Sequence, residues 1–259
     1  MALFDDAPIN GIDELAPYDS SLLETAAIEG IDVTAKIASA QDLLRTEILR
    51  FLLDNEVFEP VFGGVLDWQR RELGMEDVVV TPELKRWHAF QTLREVYEDA
   101  YGHQSNDRYQ WKWQDCGRLA RNAKARCLDI GIGLAADPIQ RAQPPVITTA
   151  PGTGDAVTLY LAVALLNAGG QEGVVSEVAM AKVAAGTQAG VSVSNPPANA
   201  TGWNIYAGSG PEYLMQQNGD ALALAAVWTQ SSVLVAGRAP GKGQTPSFHA
   251  VRNRMIRRG

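Results

Sequence analysis

The stretch Gln143-Pro144-Pro145 divides the chain into two halves with different chemistry. Ahead of it lie 25 of the 30 acids, 15 of the 22 bases and both cysteines. From Pro144 to Gly243 the only charged side chains are Asp155, Glu172, Glu177, Lys182, Glu212, Asp220, Arg238 and Lys242. The hydrophobic period changes at the same place, from helical spacing before it to alternation after it. A second half so poor in acids, bases and nucleophiles is badly equipped for catalysis, which points to binding or architecture.

The 259 residues are enough for two domains, each able to bury its own core. The expected organisation is a helical domain over 1–143, an antiparallel β-sandwich over 144–240 and a basic arm over 241–259: an α+β multidomain chain. The net charge of −8 sits in the first part. An acidic body disfavours adhesion to nucleic acid or an anionic membrane, although it can surround DNA without gripping it. No stretch approaches the roughly 20 uninterrupted apolar residues of a membrane span. Asp5, Asp6, Asp13 and Glu14 stand where a signal peptide has a basic start and an apolar run. The chain is therefore expected to stay in the cytoplasm where it is made. Cys116 and Cys127 fall eleven apart on one expected helix, about 16 Å along its axis, too far for a mutual disulfide.

In the first half, Ser21-Leu22-Leu23-Glu24 reads as a capping box and Gly30 as the stop of a short helix over Tyr18–Glu29. Asp32 then caps a helix whose apolar positions Val33, Ile37, Ala40, Leu44, Ile48 and Phe51 recur every three or four residues, ending near Asn55. Pro60, Gly63 and Gly64 mark a connecting region that leads to a possible strand at Val78-Val79-Val80. Thr81-Pro82-Glu83 starts a third helix, running to Tyr101 and burying Leu84, Trp87, Phe90, Leu93, Tyr97 and Tyr101. A fourth, from Asn106 to Cys127, repeats Tyr109, Trp113, Cys116, Ala120, Ala123 and Cys127 on one face. Trp111 points away from that face. Exposed tryptophan is uncommon without a partner, so Trp111, with Leu119 and Leu128, marks an expected subunit interface.

Several apparent motifs fail on context. Gly131-Ile132-Gly133-Leu134-Ala135-Ala136 has the glycine spacing of a dinucleotide loop, but a helix precedes it and Pro138 follows, so no cofactor is expected. His88 and His103 have no second ligand at metal spacing and read as structural, and no metal site is expected. Gly241-Lys242-Gly243 is one residue short of a phosphate loop, and Asn199-Ala200-Thr201 is a glycosylation pattern without meaning in a cytoplasm. No Ser-His-Asp set or paired-carboxylate cleft can be assembled, so an enzyme is not expected.

In the second half, Val157 to Leu166 alternates β-favouring residues and meets Asn167-Ala168-Gly169-Gly170, a hairpin-grade turn. Val174–Val183 reads as the returning strand, followed by Val191-Ser192-Val193 and Trp203-Asn204-Ile205-Tyr206. Leu222–Val227 and Val233–Ala236 complete the set. Short strands at about ten-residue spacing with turns between them indicate an antiparallel sandwich. Leu159 to Val163 leading to Asn167–Gly173, with Ala200-Thr201-Gly202-Trp203-Asn204-Ile205-Tyr206-Ala207-Gly208, resembles the fibronectin type III and immunoglobulin-like domains appended to many phage structural proteins.

Pro246–Gly259 contains no acid and four arginines, Arg252, Arg254, Arg257 and Arg258, among apolar residues Phe248, Val251 and Met255 at i, i+3 and i+7. A helix over Ser247–Arg257 would place the three apolar side chains on one side, an arrangement suited to docking on a partner. With Thr81 to His88, Val96 to Tyr101 and Asn106 to Trp113 in paired helices, the whole chain resembles the head-to-tail adaptor, or head-completion, proteins of tailed bacteriophages. That resemblance implies a virion protein of the phage neck: a homo-oligomeric ring, commonly a dodecamer, bound to the portal protein and offering a surface to the tail or further neck proteins. Genome DNA would pass through its lumen without sequence-specific binding, and no membrane is involved. Phe248, Val251, Arg252, Arg254, Met255, Arg257 and Arg258 would then be the portal-binding residues. The alternative is a virion or surface binding module whose sandwich takes a carbohydrate or a protein.

Overall fold

The computed structural model describes residues 1–55, 73–104, 107–231 and 233–250. Helices occupy the N-terminal half and antiparallel sheets the C-terminal half, an α+β architecture. Two compact units result: Ala7–Ala136 with the chain from Pro246 onward, and Met1–Asp6 with Asp137–Thr245. The change of unit thus falls at Asp137, ahead of the prolines, and each end of the chain joins the unit that its neighbours in sequence do not. The expected joint at Pro60, Gly63 and Gly64 and the His103 side chain lie outside the described residues.

In the helical unit, α1 (Ile12–Leu15) and α2 (Leu22–Glu29) precede the long α3 (Val33–Asp54). Gly30 ends α2 in the left-handed region, φ 66°, with its N–H on the Ala26 carbonyl. Asp32 caps α3 as expected, its carboxylate accepting from the N–H groups of Thr34 (2.9 Å) and Ala35 (3.2 Å). Val33, Ile37, Ala40, Leu44, Ile48 and Leu52 form its buried stripe. Phe51, at the edge of that stripe, is only half-buried. Helix α4 (Pro82–Gln104) begins where Thr81 Oγ1 accepts from Leu84 N–H, and α5 (Gln110–Ile130) packs antiparallel to it. Rings register this pair: Tyr101 stacks on Trp113 at 5.7 Å, and Lys124 Nζ lies 5.8 Å from the centre of Trp87. Gly131, at φ 106°, turns the chain into β1 (Ile132–Leu134). Of the dinucleotide-like glycines, Gly131 therefore ends a helix and Gly133 sits in a strand, which pairs with Ser247–His249 and takes Val79 N–H on the Gly133 carbonyl. The expected strand at Val78 forms only a bridge, to Leu134.

The β unit has two antiparallel sheets around one core. One contains β2 (Val146–Pro151), β5 (Thr187–Ser192) and β8 (Trp228–Thr229), in the order β2-β5-β8. The other has the order β4-β3-β6-β7, from β3 (Val157–Asn167), β4 (Ala179–Val183), β6 (Ala200–Gly208) and β7 (Met215–Gln216). The last strand, β9, is Ser247–His249 in the helical unit. Val163 faces Ile205 and Leu165 faces Trp203 across the β3–β6 ladder, so alternate residues reach the shared core with Ala189 and Val191 from the other sheet. The opposite face of β3 is buried too, through Ala162 and Ala164 against Tyr206 and Leu214. Asn167 closes the turn as its sequence promised: its side-chain oxygen accepts Gln171 N–H, and Gly170 adopts φ 71°. The return is shorter than expected, because Val174–Val178 runs back beside β3 outside any named strand and pairing begins at Ala179. Leu222–Val227 likewise supplies only a bridge, Leu222 to Trp203, before β8.

Candidate functional site: exposed surfaces of the helical unit

Helix α5 has one face for its own unit and one that is uncovered. Cys116, Gly117, Ala120, Ala123 and Cys127 are buried against the rest of the unit, and small side chains there let α4 approach closely. Burial pushes the Cys116 thiol up to about 11 and that of Cys127 up to about 12, so both remain protonated and unreactive. Trp111 lies on the other side and is 63 % exposed. Leu119 and Leu128 are half-buried, but they do not share one surface with each other. At about 100° per residue, nine positions separate them by half a turn of circumference. Trp111 faces directly away from the buried stripe, and Leu119 and Leu128 lie on its two opposite shoulders, about 80° and 100° from it.

Leu119 lines a groove between α4 and α5, together with Phe90 and Ala123 as its floor and Arg86, Asn122, Arg126 and Asp129 around it. Arg86 covers the Phe90 ring at 5.6 Å, and Tyr18 packs edge-on against the same ring at 5.3 Å. This groove was not evident in the sequence, because it arises from the antiparallel register of two helices. The one available signal was an arginine recurring beside small residues on α5.

Next to it the chain fills the same cleft itself. Asp19 Oδ2 accepts from Tyr97 O–H (2.5 Å) and Lys112 Nζ (2.9 Å), and Asp19 Oδ1 accepts from Ser21 O–H at 2.7 Å. Burial opposes ionisation of Asp19, but hydrogen bonds from Tyr97, Lys112 and Ser21 outweigh it and hold the carboxyl down to about 2. Ser21 is consequently not the helix cap that its sequence suggested, since its hydroxyl serves Asp19 and accepts from Lys112. Each group in this cluster is occupied by another, which makes it a clasp joining the chain ahead of α2 to α4 and α5.

His88 is fully buried and fully satisfied: Nε2–H donates to the Ile37 carbonyl (3.0 Å) and Nδ1 accepts from Asn10 Nδ2 (2.9 Å). Burial lowers it to about 4, so it is neutral and structural. Among the described residues no cluster of three or more His, Cys, Asp or Glu side chains is placed to hold a metal ion. Among them, too, no helix is long and apolar enough to cross a membrane.

Only the start of the arm lies among the described residues, and there it is not helical. Ser247–His249 is a strand, with Phe248 opposite Gly133 and 49 % exposed. Val251, Arg252, Arg254, Met255, Arg257 and Arg258 lie outside the described residues. In the β unit, Glu172 accepts from Tyr206 O–H, Arg238 Nη2 (2.6 Å) and Asn204 Nδ2 (3.3 Å), tying three segments together. Burial, then the Glu172 carboxylate, pushes the Tyr206 phenol well above its ordinary range. Separately, Thr153, Asp155, Gln188, Gln230 and Ser231, with the apolar Val157, Leu159 and Leu234, line an open cavity of mixed character in this unit. No family model matches the chain, and no curated protein is found to be significantly similar to it.

Proposed function

We propose that this chain is a structural protein of a tailed-phage neck, forming a homo-oligomeric ring between the portal and the tail through which genome DNA passes. The observation that carries the reading is the exposure of Trp111, 63 % open on a helix whose other face is fully engaged. A side chain of that size left in water on a stable helix is suited to an assembly contact. The excess of acids over bases in the helical half agrees with a lumen that DNA traverses without adhering. Phe248, exposed on the edge strand β9, offers an apolar anchor immediately ahead of the arginine-rich end that would meet the portal. Electron microscopy of the purified chain, alone and with portal protein, tests the proposal. Closed rings with a central hole are expected, and dispersed single copies under both conditions overturn it.

A second reading, a binding module for a carbohydrate or a protein, rests on the open cavity of the β unit, whose lining mixes polar and apolar groups. Hydroxyl, amide and carboxylate groups suit a hydroxyl-rich ligand, and glycan-array binding lost in Asp155→Ala would favour this reading.

A further inference from the structure

The groove between α4 and α5 has a definite chemical order. Arg86 and Arg126, with Asp129 one turn beyond, stand at one end, which is net basic, since Lys124 lies over Trp87 and the helices run antiparallel. Phe90 and Leu119 stand at the other. Arg126 is one heptad from Leu119, about 10 Å along α5. Among the described residues Arg126 has no ion-pair partner.

A matching surface exists on α3. Its outward ridge consists of Asp42, Thr46, Leu49 and Leu53, at i, i+4, i+7 and i+11, with Leu49 40 % and Leu53 64 % exposed. Asp42 also lacks an ion-pair partner among the described residues, and it lies one heptad from Leu49. Laid antiparallel to α5, this ridge places Asp42 against Arg126, Thr46 against Asn122 and Leu49 against Leu119, with Leu53 beside Asp115, whose carboxylate is held by Arg118 at 2.6 Å. Opposite charges meet in Asp42 and Arg126, and apolar side chains meet one heptad away in Leu49 and Leu119, in a single register.

The two surfaces also lie on opposite flanks of the unit. Helix α3 packs on α4 through His88, which donates to Ile37, and through Asp99, paired with Lys36 at 2.5 Å. Asp99 is nine residues from Phe90 and His88 is two away, and at about 100° per residue both point away from the groove. A ridge on one flank and its complement on the other cannot satisfy each other within one copy. They make a head-to-tail contact, the kind that closes a ring when the rotation between copies allows it.

We propose that the α3 ridge of one copy seats in the α4–α5 groove of the next copy, with Asp42 on Arg126 and Leu49 on Leu119. This rests on the self-assembly reading above and specifies its interface.

The test combines sedimentation with cross-linking of the full chain. Asp42→Arg and Arg126→Asp are each expected to weaken self-association by about tenfold or more, because like charges then meet at a partly desolvated contact. The double variant should recover it. A mixture of Leu49→Cys and Leu119→Cys chains should form the mixed disulfide on mild oxidation, while either chain alone should not; the native thiols are buried. Self-association that ignores both charge reversals and gives no mixed disulfide overturns the interface and leaves the ring reading standing. A Leu49→Cys homodisulfide instead shows a two-fold contact and overturns the head-to-tail arrangement. Absence of self-association at any concentration overturns both proposals. All four positions are solvent-facing or half-buried, and unchanged melting of the variants separates loss of contact from loss of fold.

Discussion

Trp203 and Trp111 are the same residue type in the two units, used in opposite ways. Trp203 has no exposed surface, and its indole N–H donates to the Ala223 carbonyl at 2.9 Å. Trp111 is mostly in solvent. The β unit turns Trp203 inward, onto a core reached from both sheets, and what it leaves exposed are smaller or more polar side chains such as Val233, Val235, Met180 and Tyr213. The helical unit fastens its interior with polar clasps as well, around Asp19 and His88, and leaves apolar surface on α5 and α3 uncovered. An exposed apolar surface is compatible with a stable unit only where the interior does not need those side chains.

The largest expected effect follows from that difference. Trp203→Ala removes a fully buried aromatic ring and its hydrogen bond, at about 3–5 kcal/mol to the β unit. Denaturant unfolding followed by near-ultraviolet circular dichroism measures it. A loss under about 1 kcal/mol would mean the core tolerates the cavity and the comparison with Trp111 fails.

Acid should separate the units next. His88 is lowered to about 4 in the folded chain from an ordinary 6.5, chiefly by burial. The unfolded chain therefore takes up the proton first. The stabilisation is fully present above pH 6.5, declines as pH falls, and is spent once pH drops below about 4. It amounts to roughly 3–4 kcal/mol at about 1.4 kcal/mol per pH unit. The β unit contains no histidine and should show no such loss over pH 6.5–4.5. Urea midpoints at the two ends of that window, read separately for each unit, check it; equal declines in both units would remove His88 as the cause.

A smaller change is expected at Glu172. Glu172→Ala leaves the buried Tyr206 hydroxyl without its acceptor and frees Arg238, at about 1–3 kcal/mol. Tyr206→Phe in the same background should return part of it, since the orphaned hydroxyl is then gone. If the second substitution makes matters worse, the ring packing and not the hydroxyl dominates.

How far these features were legible in sequence depends on the range over which each is determined. Asp32, Thr81-Pro82 and Gly30 mark helix ends through bonds to groups three or four residues away, and they do so in the structure. The alternation of β3 and the Asn167 turn are equally local. Ser21 misleads because its hydroxyl is taken by Lys112, 91 residues on. The return of Ser247–His249 to β1, more than a hundred residues back along the chain, leaves no local trace either. The exposure of Trp111 was legible from helical period alone. The groove beside it was not, since Arg86 and Arg126 meet only through the register of α4 against α5.

The smallest effect on stability is expected at Trp111 itself. Its ring contributes little to the unit's interior, so Trp111→Ala should change the midpoint of unfolding of the isolated chain by no more than about 0.5 kcal/mol. Self-association should respond much more, by about tenfold or above, because an aromatic anchor at an interface loses its desolvated contact on truncation. Comparing the two readouts on one sample decides between the roles. If the variant unfolds early and associates normally, Trp111 belongs to the interior and the contrast with Trp203 disappears. If neither readout moves, the exposed face of α5 is only solvated surface. Removing residues 251–259 sharpens the same contrast at the chain end: β9 is retained and the helical unit should keep its stability, whereas removing Ser247–His249 as well strips the strand paired with Ile132–Leu134. Loss of portal docking in the shorter deletion, with unfolding unchanged, would assign the arginine-rich end to the partner and β9 to the fold.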